Sequence, residues 1–167
     1  HLRMVNFLPD SELMFIGYSS FSHSSIESIK IPKNVVQIDK YAFFYCKKLR
    51  TIEFPKDNQV KTILERAFES SGIQRISIPD AIAKIESRQF FNCEKLRLVE
   101  FSEKSELKTI GDSAFENTAT EGMVLPSNLK VIDNDAFRRC HKLKVLEFSE
   151  KTKLISIHKD ALSFCGI

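Results

Sequence analysis

The sequence predicts an α/β solenoid: a coil of stacked rungs, each with one strand and a short helical or 3₁₀ turn on the other side. Three observations predict it. A five-residue pattern recurs along the chain as "SFSHS", "AFFYC", "AFESS", "QFFNC", "AFENT", "AFRRC" and "ALSFC". Its second residue forms an apolar column: Phe21, Phe43, Phe68, Phe90, Phe115, Phe137 and Leu162. Five residues upstream runs Ile16, Ile38, Ile63, Ile85, Ile110, Ile132 and Ile157, and three before that Leu13, Val35, Val60, Ile82, Leu107, Leu129 and Leu154. Columns held at fixed offsets mean that each rung is one unit, burying its apolar side only against its neighbours.

The step between rungs alternates between 22 and 25 residues, giving a 47-residue double unit seen in Leu2, Leu49, Leu96 and Leu143. The longer step carries a loop insertion, as in "PKDNQVKTI" against "PKNVVQI". After each Phe comes the strand segment: "LRTIEF" (Leu49 to Phe54), "LRLVEF" (Leu96 to Phe101) and "LKVLEF" (Leu143 to Phe148), with "IESIKI", "IQRISI" and "TEGMVL" between them. This L-x-x-L-x-L pattern alternates at period two, which turns one set of side chains inward and the other outward. Pro32, Pro55, Pro79, Ser102, Pro126 or Ser149 follows. Proline lacks a backbone donor and fixes its own φ, so it suits a strand exit. Between strands, Ile-x-x-x-Ala-Phe fits one helical turn, capped by Asp39, Asp112 or Asp133. Ala sits where backbones approach and Phe fills the space between rungs.

The pattern I-x-x-x-A-F-x-x-C-x-x-L-x-x-I-x-[FI]-P resembles the BspA-type leucine-rich repeat, and the resemblance covers nearly all of residues 2–167. It implies a right-handed solenoid with parallel strands, and surface or secreted proteins involved in adhesion. It brings no shared catalytic residues. Gln89 in place of Ala, Leu162 in place of Phe and Thr120 in place of a leading Leu or Ile depart from the pattern. One leucine-rich-repeat domain over 2–167 is expected. "LRMVNF" already matches the strand template, Ile167 would open a further strand, and no polar capping unit is visible, so an excerpt of a longer array is expected.

Composition narrows the function. Net charge is only +3, with both signs mixed along the chain, which argues against a phosphate-tracking surface and hence nucleic acid. No apolar run approaches the ~20 residues that cross a bilayer. Gly-rich phosphate loops, nucleophile elbows and metal-binding helix motifs are missing from the sequence, so no enzyme activity, metal or cofactor is expected. His1, His23, His141 and His158 fall at unrelated repeat positions and are expected as solvated surface histidines. Cys46, Cys93, Cys140 and Cys165 share one repeat position, where other rungs carry Ser24, Ser71 and Thr118. Two rungs span about 10 Å, beyond the ~7 Å a disulfide bridges. A ladder of packed thiols is therefore expected, with Cys140 and Cys165 alone on adjacent rungs.

The outward strand residues are the candidate site, a concave face formed by Thr51, Glu53, Arg75, Ser77, Leu98, Glu100, Val124, Val145 and Glu147. Glu53, Glu100 and Glu147 recur every second rung, a pattern duplication alone would copy onto a solvated surface. Leu98, Val124 and Val145 put apolar groups where solvent is expected, which often marks a contact. The expected function is a non-enzymatic scaffold holding a protein or glycan on this face. The alternative is a stalk or spacer without a ligand of its own.

Overall fold

The computed structural model describes residues 2–166; His1 and Ile167, the latter read above as opening a further strand, lie outside them. The chain alternates two kinds of short strand: β1 (Met4–Val5), β2 (Phe15–Ile16), β3 (Ser28–Lys30), β4 (Gln37–Ile38), β5 (Thr51–Glu53), β6 (Thr62–Ile63), β7 (Arg75–Ser77), β8 (Lys84–Ile85), β9 (Leu98–Glu100), β10 (Thr109–Ile110), β11 (Gly122–Leu125), β12 (Val131–Ile132), β13 (Val145–Phe148) and β14 (Ser156–Ile157). Odd strands pair only with odd ones and even with even, always in parallel. The molecule is thus a parallel-strand solenoid of seven rungs. The odd row is the L-x-x-L-x-L strand; the even row, two residues wide at the Ile column, is a second ladder beyond the single strand expected.

The apolar columns form one continuous spine. Phe43, Phe68, Phe90, Phe115 and Phe137 are fully buried. Each lies parallel to the next, with ring centroids 5.2–5.4 Å apart and planes within 9°. That is within the range where offset aromatic pairs contribute about 0.5–1.5 kcal/mol beyond their area. Phe21 and Leu162 cap the column half-buried.

The turns depart from expectation: no helix is present among the described residues. Along Arg66–Ser71 the amides alternate in direction. Ala67, Glu69 and Ser71 donate within their own rung, to Leu64, Arg66 and Phe68, while Arg66, Phe68 and Ser70 donate to Ser87, Gln89 and Phe91 of the next. A helix would keep every amide inside the segment and leave rungs joined by side chains alone. Reversing alternate peptides requires left-handed residues, and each rung supplies two, four apart, none of them glycine: Tyr41 and Tyr45, Arg66 and Ser70, Arg88 and Asn92, through to Asp160 and Phe164, with φ between 50° and 59°. Such a conformation costs a non-glycine residue roughly 1–2 kcal/mol. It is held here by the bonds that the arrangement makes possible between rungs. The capping aspartates fit this geometry. From the backbone, the Asp39 and Asp133 carboxylates accept the next residue's amide, at 2.6 and 2.9 Å, rather than donors two or three residues on.

Both ladders are interrupted once, beside a departure from the repeat. Residues following the Ile column donate to the rung before, as in Leu64 N–H to Ile38 O and Gly111 N–H to Ile85 O. At Glu86 that amide instead donates to the Gln89 side chain, 2.9 Å away, and β6 and β8 fall in separate sheets. The strand after Thr120 likewise starts a new sheet, β11 not pairing with β9. The buried Thr120 hydroxyl is satisfied by Thr118, 3.1 Å away.

Candidate functional site

The odd strands position the candidate residues because alternation turns Ile29, Ile52, Ile76, Val99 and Met123 into the core and their neighbours out. Glu53, Arg75, Ser77, Leu98, Glu100, Val124, Val145 and Glu147 are exposed and Thr51 half-buried, all on one face. Paired registers hold them in two columns. Ser28, Thr51, Arg75 and Leu98 run across β3 to β9, with Gly122 and Val145 continuing across β11 and β13; beside them run Ser77 to Glu100 and Val124 to Glu147.

The apolar trio meets at the interruption between β9 and β11. Leu98, Val124 and Val145 are 44%, 63% and 47% exposed. Gly122 offers no side chain between Leu98 and Val145, and a cleft of about 440 Å³ opens there, lined also by Glu100, Phe101 and Glu147. A second cleft of about 560 Å³ adjoins it across Phe101 and Val124, reaching the loop residues Glu103, Glu150 and Lys151. Carboxylates therefore border an apolar floor. Glu100 is partly oriented, accepting a 2.9 Å hydrogen bond from Ser77. Glu53 lies two rungs away across Ser77 and lines a third cleft with Arg75. The cleft depends on a glycine and an interrupted ladder, and only the exposed apolar residues beside it were visible in the repeat pattern.

The other candidate groups take structural roles. The thiols are free. Each donates to a Phe carbonyl of the preceding rung: Cys46 to Phe21, Cys93 to Phe68, Cys140 to Phe115 and Cys165 to Phe137, at 2.9–3.1 Å. Ser24, Ser71 and Thr118 pair with Cys46, Cys93 and Cys140 in turn at 3.3–3.5 Å, so a hydroxyl–thiol pair recurs every second rung along the turns. Burial pushes the Cys93 thiol up to about 12 and that of the half-buried Cys165 to about 11. Glu69, set among the turns, is likewise raised by burial, with Arg66 and Arg88 opposing the shift. His158 pairs with Asp133 at 3.1 Å. His23, expected as plain surface, packs against Phe44 and Tyr45. Among the described residues no three His, Cys, Asp or Glu side chains gather as metal ligands, and no helix is long and apolar enough to cross a membrane.

Known proteins share this architecture. Pneumococcal vaccine antigen PcpA is similar at 29% identity and a TM-score of 0.79, over 83% of this chain and 36% of its own. A leucine-rich repeat protein of Bacteroides ovatus is similar at 27% identity and a TM-score of 0.65, over 93% of this chain and 45% of its own. A leucine rich cell surface protein of Faecalibacterium prausnitzii shares the fold, at 21% identity and a TM-score of 0.60, over 84% of this chain and 44% of its own. The chain thus spans less than half the length of each of these proteins. No curated protein matches it. The BspA type leucine rich repeat region matches residues 14–144 and 61–167, in six copies. With the repeat, the stacked phenylalanines and the parallel ladders in agreement, the chain belongs to the BspA-type leucine-rich repeat family.

Proposed function

We propose that this chain is a non-enzymatic binding module of a surface or secreted adhesion-type protein, holding a protein or glycan partner on its strand face. The observation that carries it is the cleft at Gly122, where Leu98, Val124 and Val145 stand exposed beside Glu100 and Glu147. Exposed apolar residues gathered at a cleft and rimmed by charge favour contact with a partner. The surface location draws on the family and on the similarity to a pneumococcal vaccine antigen.

The test is capture of partners from extracellular-matrix and cell-surface extracts by the chain and by its Leu98→Lys/Glu100→Lys variant. Partners held by the parent and lost by an equally folded variant support the strand face. Undiminished capture by the variant moves binding elsewhere, and no capture by either favours the spacer.

A further inference from the structure

All three tyrosines of the chain lie on the turns of the first two rungs, away from the strand face. Tyr18 and Tyr41, on adjacent rungs, meet edge to face at 5.7 Å. His23 and Tyr45, also on adjacent rungs, lie 5.0 Å apart, with Phe44 packed against both at 5.4 and 5.9 Å. Tyr18 is 67% and Tyr45 45% exposed, and the Lys47 ammonium sits 4.3 Å from the Tyr45 ring centroid.

Neither packing nor backbone explains these residue types. Tyr41 and Tyr45 occupy left-handed positions at φ 57° and 56°, where other rungs carry mostly Ser, Asn, Asp or Arg, with His23 on the first rung and Phe164 on the last. Asn and Asp tolerate that conformation better than an aromatic residue does. Tyr45 is also too exposed to serve the core. What sets this patch apart is that Tyr18 and Tyr45 present exposed rings on adjacent rungs beside His23 and Lys47, and exposed aromatic faces gathered together mark a contact surface.

The surrounding charges select the ligand. Lys40 pairs with Glu65 at 3.3 Å, and Arg66 pairs with Glu65 and Glu69 at 3.3 and 3.5 Å. Lys40 and Arg66 are thus neutralised, which leaves Lys47, over the Tyr45 ring, as the one of these three cations without an ion pair among the described residues, too little to make the dense basic face a polyanion needs. The patch offers aromatic faces whose negative quadrupole attracts positively polarised groups, as the Lys47 contact shows, and polar tips that exchange hydrogen bonds. A pyranose matches both: its axial C–H bonds are positively polarised and its hydroxyls ring the edge.

We propose that these turns form a second binding surface, which takes neutral carbohydrate by stacking sugar rings on Tyr18 and Tyr45, with His23 and Lys47 hydrogen-bonding the hydroxyls. It stands independently of the strand-face reading.

With three tyrosines and no tryptophan in the chain, tyrosine emission reports on this patch alone. The probes are neutral polysaccharides (β-glucan, mannan, galactan and chitin oligosaccharides), with heparin and poly-L-proline beside them. A saturable emission change with a neutral polysaccharide is expected. Tyr45→Ala and Tyr18→Ala should each weaken it about tenfold or more, Tyr45→Phe should largely preserve it, and Glu100→Lys should leave it unchanged. Far-UV circular dichroism checks that each variant is folded. The proposal is overturned if no neutral polysaccharide binds, if the alanine variants bind equally well, or if heparin or poly-L-proline binds where the neutral sugars do not.

Discussion

Replacing Phe90 with alanine removes a ring that is fully buried and parallel to two others, 5.4 Å from Phe68 and 5.2 Å from Phe115. A buried Phe→Ala change costs about 3–5 kcal/mol in a core that cannot collapse around the gap. Here collapse is opposed on both sides, because the flanking backbones are fixed by Phe68 N–H to Gln89 O at 3.0 Å and Phe90 N–H to Ala114 O at 2.8 Å. Two aromatic pairs are lost as well, each worth about 0.5–1.5 kcal/mol. Phe90→Ala should therefore fall at the upper end of that range. Phe21→Ala is the internal comparison: a half-buried ring stacked only on Phe43, at 5.2 Å, whose loss should cost about half as much. Urea titration followed by far-UV circular dichroism reads both. With slopes of about 1–3 kcal/mol per molar for small proteins, the Phe90 midpoint should move by more than about 1 M. Phe90→Leu, which keeps a smaller apolar side chain and loses the stacking, should fall between. Equal midpoints for the Phe90 and Phe21 alanine variants would refute the continuous spine, since a rung's loss would then not depend on its neighbours.

Further outcomes follow from the backbone and the thiols. Gly72→Ala should destabilise by several kcal/mol on thermal unfolding, because a Cβ there is driven into the Lys47 carbonyl oxygen of the preceding rung; an unchanged midpoint would contradict the close approach. Arg139→Gly, at an exposed position with φ 58°, should stabilise by about 0.5–1 kcal/mol as left-handed strain is relieved, partly offset by greater freedom in the unfolded chain; a loss of stability would show that no strain is held there. Cys93 raises a sign that alkaline unfolding can check. Its folded value near 12 lies above the ordinary 9.0, so above pH 9 the unfolded state has lost a proton the folded state keeps. Stability should thus be unaffected by this group below pH 9 and fall by roughly 1.4 kcal/mol per pH unit up to about 12. A thiol reagent at neutral pH should label the half-buried Cys165 before Cys93, and uniform labelling of all four would contradict the burial.

Much of the fold was legible because a solenoid repeats its requirements. The Phe, Ile and Leu columns, the period-two strands and the shared cysteine position each recur often enough to be seen in one sequence. What escaped was carried by the backbone. Ile-x-x-x-Ala-Phe has the spacing of a helical turn, and nothing in Tyr41, Arg66 or Arg88 announces a left-handed φ, since the glycines that signal one are not used there. The even strands were hidden for a related reason: two residues at the Ile column are too short to show alternation. Gln89 stands out in the repeat as a substitution, yet its effect, taking the Glu86 amide out of the ladder, depends on where a side-chain oxygen lands. The candidate face was legible as exposed strand residues, but the cleft was not. It needs Gly122 beside Leu98 and Val145 from other rungs, a neighbourhood set by register. The tyrosine patch is not visible in the repeat because Tyr18, Tyr41 and Tyr45 stand at different repeat positions and form no column.

Native-state amide hydrogen exchange tests the central claim most directly, since it reads the hydrogen bonds that join one rung to the next. The amides of Phe43, Phe68, Phe90 and Phe115, which donate to Ala67, Gln89, Ala114 and Ala136, should exchange as slowly as those of the odd strands and open together with them. Exchange of these four at the rate of solvent-exposed loop amides, while the strands remain protected, would contradict the coil of mutually bonded rungs on which both proposed binding surfaces are built.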